Sequence, residues 1–290
     1  MKILVLGAGT MGAGIAQVAI QAGHSVALMD VSIAALDKAK SKISSGLAKL
    51  VSKGKLSEEK KEEALGNISY FREYEGIEPV NLAIEAVTEK IELKQMLIKK
   101  ASSLVKENGI FATNTSSIPI SLLATSFTDP ARFIGMHFMN PVPLMKGVEI
   151  IPGIQTSEKT VEEAILFTEG LGKIPSKAND TAGFITNRLI GIYLNEAAKA
   201  VLEGNDPVEV DRMMKVCFNM PMGPCELTDL IGIDVTVDML NVMASAFGDR
   251  YIPNPLLMQL YNSGRLGRKA GIGFYRYEKG KDPECAIRRK

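Results

Sequence analysis

The sequence predicts an α/β protein, a doubly wound and mostly parallel sheet followed by an all-helical domain. Three observations predict it. Short apolar runs without a polar face alternate with helical stretches through the first half. A glycine-spaced turn separates the first such run from the first helix. Beyond about residue 183 the strand signals stop, and apolar residues recur every three or four positions instead.

In order, residues 3–6 read as a strand buried on both faces, and 15–21 as a helix closed by Gly23. Residues 25–29 form a second strand ending at Asp30. Residues 32–53 read as a lysine-rich helix and 57–65 as a short polar one. Residues 80–87 are another strand, 89–106 a helix and 110–113 a strand, and 132–138 and 148–151 extend the sheet. Such alternation implies right-handed crossovers. Residues 183–203 form one long amphipathic helix, with Ile185, Leu189 and Ile192 on one stripe. Helical stretches follow at 207–218, 226–247 and 255–263, broken by Pro221, Pro224, Pro253 and Pro255.

Composition narrows the function classes. Of 290 residues, 46% are hydrophobic and 23% charged, as in ordinary globular chains. Net charge is +1, which gives no global field toward nucleic acid or membrane. Cys217, Cys225 and Cys285 are odd in number and form no CxxC, and two histidines argue against a metal centre. No stretch reaches the ~18 apolar residues of a membrane span. A cytoplasmic protein in a reducing compartment, without metal, is expected.

The first chemical motif is Gly7-Ala8-Gly9-Thr10-Met11-Gly12 between strand and helix. The first glycine permits the tight turn, the second lets backbone N–H groups approach a pyrophosphate, and the third packs helix on strand. Asp30 follows eighteen residues after Gly12 and suits the two adenosine ribose hydroxyls of NAD. Val31 comes next, where an arginine would accept a 2′-phosphate. A Rossmann-type NAD site is expected. Residues 114–117, Asn-Thr-Ser-Ser, sit at a strand end that faces the ligand crevice, although a serine there also caps a following segment. His137 ends a strand in Gly-Met-His-Phe-Met-Asn-Pro-Val-Pro, with Glu149 twelve residues on. Oxidising a secondary alcohol needs a base, and imidazole is matched to neutral pH. A lone strand-end histidine is also often structural. His24 lies at the other edge of the sheet. Asn187, in Gly-Phe-Ile-Thr-Asn-Arg, is either a cleft residue or a routine helix start. Eight lysines from Lys38 to Lys61 face two acids, which gives either a solvated face or a site for an anion with several phosphates.

Taken together, these segments resemble the L-3-hydroxyacyl-CoA dehydrogenase family, closest to its bacterial short-chain 3-hydroxybutyryl-CoA members. The resemblance spans essentially the whole chain. It rests on GAGTMGAGIA at 7–16, NTSS at 114–117, GMHFMNPVP at 135–143, GFITNR at 183–188, PMGPCELTDLIGID at 221–234 and GRKAGIGFY at 267–275. It implies an NAD-binding domain over 1–182 and a helical substrate and dimerisation domain over 183–290, hence a homodimer. It implies His137 as base and Glu149 as its partner, with Ser116 and Asn187 holding the substrate's oxygens. Its NAD contacts fall on Gly7, Gly9, Thr10, Met11, Gly12, Asp30, Glu89, Lys94, Ser116, Asn140 and Lys269. CoA contact falls on Lys53, besides Ser116 and Asn187 toward the acyl end. Gly46 departs from a serine seen in some relatives, and Gly147 from a bulkier apolar residue. Three rival readings share the architecture. Free 3-hydroxyacid dehydrogenases are expected to use a lysine base. Sugar-acid dehydrogenases do not call for the lysine run. Crystallin-like relatives have no need to keep the His, Glu and Asn present here.

Overall fold

Strand β1 (Lys2–Leu6) is buried throughout after Lys2, because layers cover both faces. Ile3 and Val5 join one core and Leu4 and Leu6 the other, as the two-residue period of a strand requires. The computed structural model describes residues 1–287 and divides into two compact units, Met1–Phe184 and the remainder from Ile185.

In the first unit, β1 leads through helix α1 (Thr10–Gln21) to β2 (Ser25–Met29), α2 (Ile33–Ser52), α3 (Glu58–Gly66) and β3 (Ile68–Phe71). The chain returns as β4 (Val80–Glu85), α4 (Ile91–Ala101), β5 (Val105–Thr113), α5 (Ile120–Ala124) and β6 (Phe133–Phe138). It closes with β7 (Gly147–Pro152), α6 (Glu158–Gly170) and β8 (Ile174–Lys177). The strand order is β3-β2-β1-β4-β5-β6-β7-β8. All neighbours are parallel except β6 with β7. Because β2 and β3 build outward on one side of β1 and β4 begins the other, the order reverses between β1 and β4. Ligand crevices open at the strand C-termini of such a reversal.

The structure adds β3, β8, α5 and α6 to the elements read from sequence. Both added strands lie at sheet edges with little apolar pattern, and β8 carries Pro175, which edges tolerate. The helix expected at 89–106 ends at Ala101, and β5 starts at Val105. The exposed Lys106, Glu107 and Asn108 disguise the start of that strand.

The second unit comprises α7 (Thr186–Leu202), α8 (Pro207–Phe218), α9 (Pro224–Ile231), α10 (Ile233–Phe247), α11 (Pro255–Asn262) and a short hairpin, β9 (Tyr275–Arg276) with β10 (Glu284–Cys285). The single helix expected at 226–247 is two helices, bent by 96° at Gly232, whose φ of 108° no side chain readily adopts. The glycine-rich motifs of this unit serve two buried aspartates. Asp211 accepts the N–H groups of Cys225 and Glu226 and the Tyr275 hydroxyl. Asp229 accepts the N–H groups of Phe274 and Tyr275 and the Tyr277 hydroxyl. A Cβ at Gly273 would lie 1.9 Å from the Asp229 carboxylate, so only glycine fits there. Among the described residues no single helix is long and apolar enough to cross a membrane.

Candidate active site

The glycine turn meets each requirement of a phosphate cradle. Gly7 has φ 100°, and its Cβ would lie 2.8 Å from the Ala86 carbonyl oxygen. A Cβ on Gly12 would come within 1.8 Å of the Gly7 carbonyl, so α1 packs on the turn only without one. Gly9 differs, for its Cβ would meet nothing within 4 Å. That open space lies at the N-terminus of α1, where N–H groups and the helix dipole favour an anion. Across the turn, Asp30 is fixed by two N–H donors, Ala8 at 2.8 Å and Ser32 at 2.9 Å. Thr10 and Met11 form the first turn of α1.

A second cluster ties the ends of β4 and β5. Glu85, 0% exposed, and Lys94, 1% exposed, form an ion pair at 2.7 Å. The Lys94 ammonium also reaches Glu89 at 3.0 Å and the Val87 carbonyl at 3.3 Å. The Thr113 hydroxyl donates to Glu85 at 2.7 Å. Glu89 in turn accepts the Ser116 N–H at 2.6 Å, the Thr115 hydroxyl at 2.8 Å and the Ser116 hydroxyl at 3.0 Å. Desolvation works to raise the Glu89 pKa, but Lys94 and the Ser116 and Thr115 donors outweigh it and hold the carboxyl below its ordinary range. Lys94, expected among the cofactor contacts, is therefore an interior cation that grips Glu89. Asn114 stitches the next strand on, its Oδ1 accepting the Phe138 N–H at 2.9 Å.

The third element is the β6–β7 ladder, in which His137 and Glu149 stand directly opposite. Opposed residues of an antiparallel pair share a face. Glu149 meets His137 Nδ1 at 2.7 Å, and the two residues are 3% and 7% exposed. The contact leaves Nε2 as the nitrogen open to a reactant and selects the tautomer with hydrogen on Nδ1. Phe184 packs edge-on to the imidazole, with ring centroids 5.7 Å apart. The loop after His137 carries Asn140, which is exposed. The loop is held by Lys173, whose buried ammonium donates to the Val142 and Met145 carbonyls at 2.7 and 2.8 Å. Burial pushes the Lys173 pKa down. Val142 packs against Gly14 of α1, where a Cβ would meet it at 2.8 Å.

On α2, Lys38, Lys42, Lys49 and the C-cap Lys53 are exposed and, at spacings of four, seven and four, line one stripe. Lys61 is taken up by Glu58 and Glu62. Gly46 lies on the same helix, and a Cβ there would be 2.7 Å from the Gln17 amide oxygen, so the residue sets the approach of α1 to α2. Gly147 has open space where a side chain would point.

In the second unit, Asn187 is in the first turn of α7. Lys269 is ion-paired with Asp234.

Comparison with known proteins decides the family. Residues 2–181 match the model of the 3-hydroxyacyl-CoA dehydrogenase NAD-binding domain, and residues 183–277 that of the C-terminal domain. The chain belongs to the 3-hydroxyacyl-CoA dehydrogenase family. It is 46% identical over 279 residues to a probable 3-hydroxybutyryl-CoA dehydrogenase of Deinococcus radiodurans, covering 96% of this chain and 100% of that one. It is 41% identical over 281 residues to the 3-hydroxybutyryl-CoA dehydrogenase of Clostridioides difficile, covering 96% and 100%. The crystal structure of (S)-3-hydroxybutyryl-CoA dehydrogenase from Ralstonia eutropha superposes with a TM-score of 0.91 at 40% identity, covering 96% and 99%. As a 3-hydroxyacyl-CoA dehydrogenase, the protein is an NAD-dependent oxidoreductase. The glycine turn, with open space at Gly9 and Asp30 fixed beside it, fits that cofactor.

Sequence reasoning on this dehydrogenase missed Glu85, Lys173 and the packing of Phe184 on His137, and it named Asn114 without its bond to Phe138. Glu85 left a signal, a lone carboxylate closing an apolar run. Lys173 left none, because its partners are main-chain carbonyls about thirty residues away.

Proposed function

We propose that this chain interconverts (S)-3-hydroxybutyryl-CoA and acetoacetyl-CoA with NAD, as a cytoplasmic homodimer. The observation that carries the chemistry is the 2.7 Å contact of Glu149 with His137 Nδ1 at the end of β6. The nicotinamide, when bound, supplies the hydride acceptor at the substrate C3. His137 accepts the hydroxyl proton at Nε2 as the carbonyl forms. Glu149 stabilises the imidazolium that results and fixes the ring. Ser116 and Asn187 hold the substrate's oxygens, a role taken from the family resemblance, and Glu89 fixes the Ser116 main chain for it. Gly7, Gly9, Gly12, Thr10 and Met11 receive the pyrophosphate. Asp30 takes the ribose hydroxyls, and Glu89 and Asn140 flank the nicotinamide side. Lys94 serves through Glu89. Lys269 contacts the cofactor on leaving Asp234, its ion-pair partner here.

The CoA phosphates bind along the α2 lysine stripe, with Lys53 at its end. That stripe favours a CoA ester over a free hydroxyacid or a sugar acid. Dimerisation through the helical unit is supported by exposed apolar side chains on α8 to α10, Met213, Val216, Phe218, Leu230 and Val235.

The test is NADH oxidation with acetoacetyl-CoA, with longer 3-ketoacyl-CoAs and with free acetoacetate. The proposal expects the C4 thioester to have the highest kcat/KM and free acetoacetate to be a poor substrate. Preference for a longer chain or for the free acid overturns the substrate assignment. Sedimentation of the same preparation tests the dimer.

A further inference from the structure

Phe184 has φ 49°, a left-handed conformation that is sterically disfavoured for an aromatic side chain. Among the described residues only one other non-glycine has a positive φ, Asn219 at the end of α8, a type that tolerates it. A glycine at 184 would adopt the same backbone without strain, so the ring is the reason for the residue. The surrounding segment enforces the conformation. Gly183 before it has φ 69°, and the Phe184 N–H donates to the Thr181 carbonyl at 2.9 Å. Upstream, the Asp180 carboxylate accepts the N–H groups of Ile120 and Ser121 at 2.7 and 2.8 Å and the Ser121 hydroxyl at 2.6 Å. This pinned segment drives a ring that is 4% exposed into the core of Ile118, Ile120, Phe133 and Ile151, edge-on to His137. Strain of this kind, held by its surroundings, collects at functional sites.

We propose that Phe184 is a positioning residue for His137, keeping the imidazole dry and fixed in plane until the substrate's proton arrives. The inference rests on His137 being the base. Glu149 holds the Nδ1 edge of the ring, and the aromatic wall of Phe184 shields the ring from water. Among the described residues the neighbouring elements place no second carboxylate against the ring. Across β7 stands Glu149, and opposite it on β8 is the neutral Ser176. At the end of β5, Asn114 is neutral and bonded to Phe138. Asp180 is consumed by α5, and Lys177 of β8 pairs with Glu158. Among the described residues Glu149 is the one carboxylate within 4.0 Å of the His137 ring.

The experiment is a histidine NMR titration of the full-length, NAD-saturated enzyme, with His24→Asn to assign the two resonances. Phe184→Ala admits water, so the His137 proton-binding constant should rise ~3-fold or more. The acid limb of kcat/KM for (S)-3-hydroxybutyryl-CoA oxidation, where His137 must be unprotonated, should move to higher pH by the same factor. Phe184→Leu, which keeps apolar bulk without the ring, should fall between the two and carries the test should the alanine variant fail to fold. An unchanged titration and pH profile in either folded variant overturns the proposal. Its failure is separable from failure of the base assignment, since an active His137→Gln enzyme rejects the base itself.

Discussion

Removing either member of the His137–Glu149 pair should reveal that they act as one unit. With Nδ1 and the carboxylate oxygen 2.7 Å apart, the charge centres of an imidazolium and a carboxylate lie about 4 Å apart. At an effective dielectric of ~20 the attraction is about 4 kcal/mol, a factor of ~10³ in rate. This attraction exists only once the imidazole has taken the proton, so it is felt in kcat rather than in substrate binding. Glu149→Gln should therefore lower kcat by ~10²–10³, and His137→Gln by ~10²–10⁴. The double variant should lose far less than the product, because Glu149 has no imidazolium to stabilise once His137 is gone. The assay is steady-state NAD reduction with (S)-3-hydroxybutyryl-CoA, the direction in which His137 takes up the proton, with NADH affinity followed by fluorescence and expected to stay near wild type. Strictly multiplicative losses would refute the reasoning, as would a His137→Gln enzyme of near wild-type turnover.

Three further outcomes are expected. Asp30, anchored by Ala8 and Ser32, cannot swing away from a 2′-phosphate. NADPH should therefore be disfavoured by ~1–3 kcal/mol, roughly 10- to 100-fold in kcat/KM, and Asp30→Ala should narrow the gap. Lys53→Glu should raise the KM for acetoacetyl-CoA, as should added salt, while acetoacetyl-pantetheine, which lacks the nucleotide, stays insensitive. Equal effects on both esters would dismiss the lysine stripe. Lys94→Met strands the buried Glu85 carboxylate and should cost about 3–5 kcal/mol, seen as a lowered melting temperature. A wild-type melting curve for that variant would contradict the burial argument.

The sheet was legible because strands covered on both faces leave unbroken apolar runs, as residues 3–6 and 82–84 do. Edge strands leave no such mark. β3 alternates weakly, and β8 hides behind Pro175 and Lys177. Helix breaks were harder to read than helices, since Gly232 interrupts a continuous apolar pattern and only its backbone angle shows the bend. At the site, the glycine turn and Asp30 were readable because each answers a local steric or charge requirement. His137 and Glu149 were nameable, but their contact depends on β7 returning antiparallel, which no local pattern specifies. The interior Lys94 shows the limit most clearly. Its spacing from Glu85 says nothing of whether the ammonium points outward to a ligand or inward to a carboxylate, and burial decided for the latter.

The pairing of His137 with Glu149 across a hydrogen-bond ladder also frees their contact from the loop that joins the two strands. The ladder, not the number of residues between them, sets the distance from base to carboxylate. Residues 141–146 can then change length or composition while the proton-transfer geometry stays in register. Their tip already presents Leu144 and Met145 to solvent, and their carbonyls are gripped by Lys173 from outside the hairpin. Exchanging that segment between relatives is therefore expected to leave the His137–Glu149 contact in place.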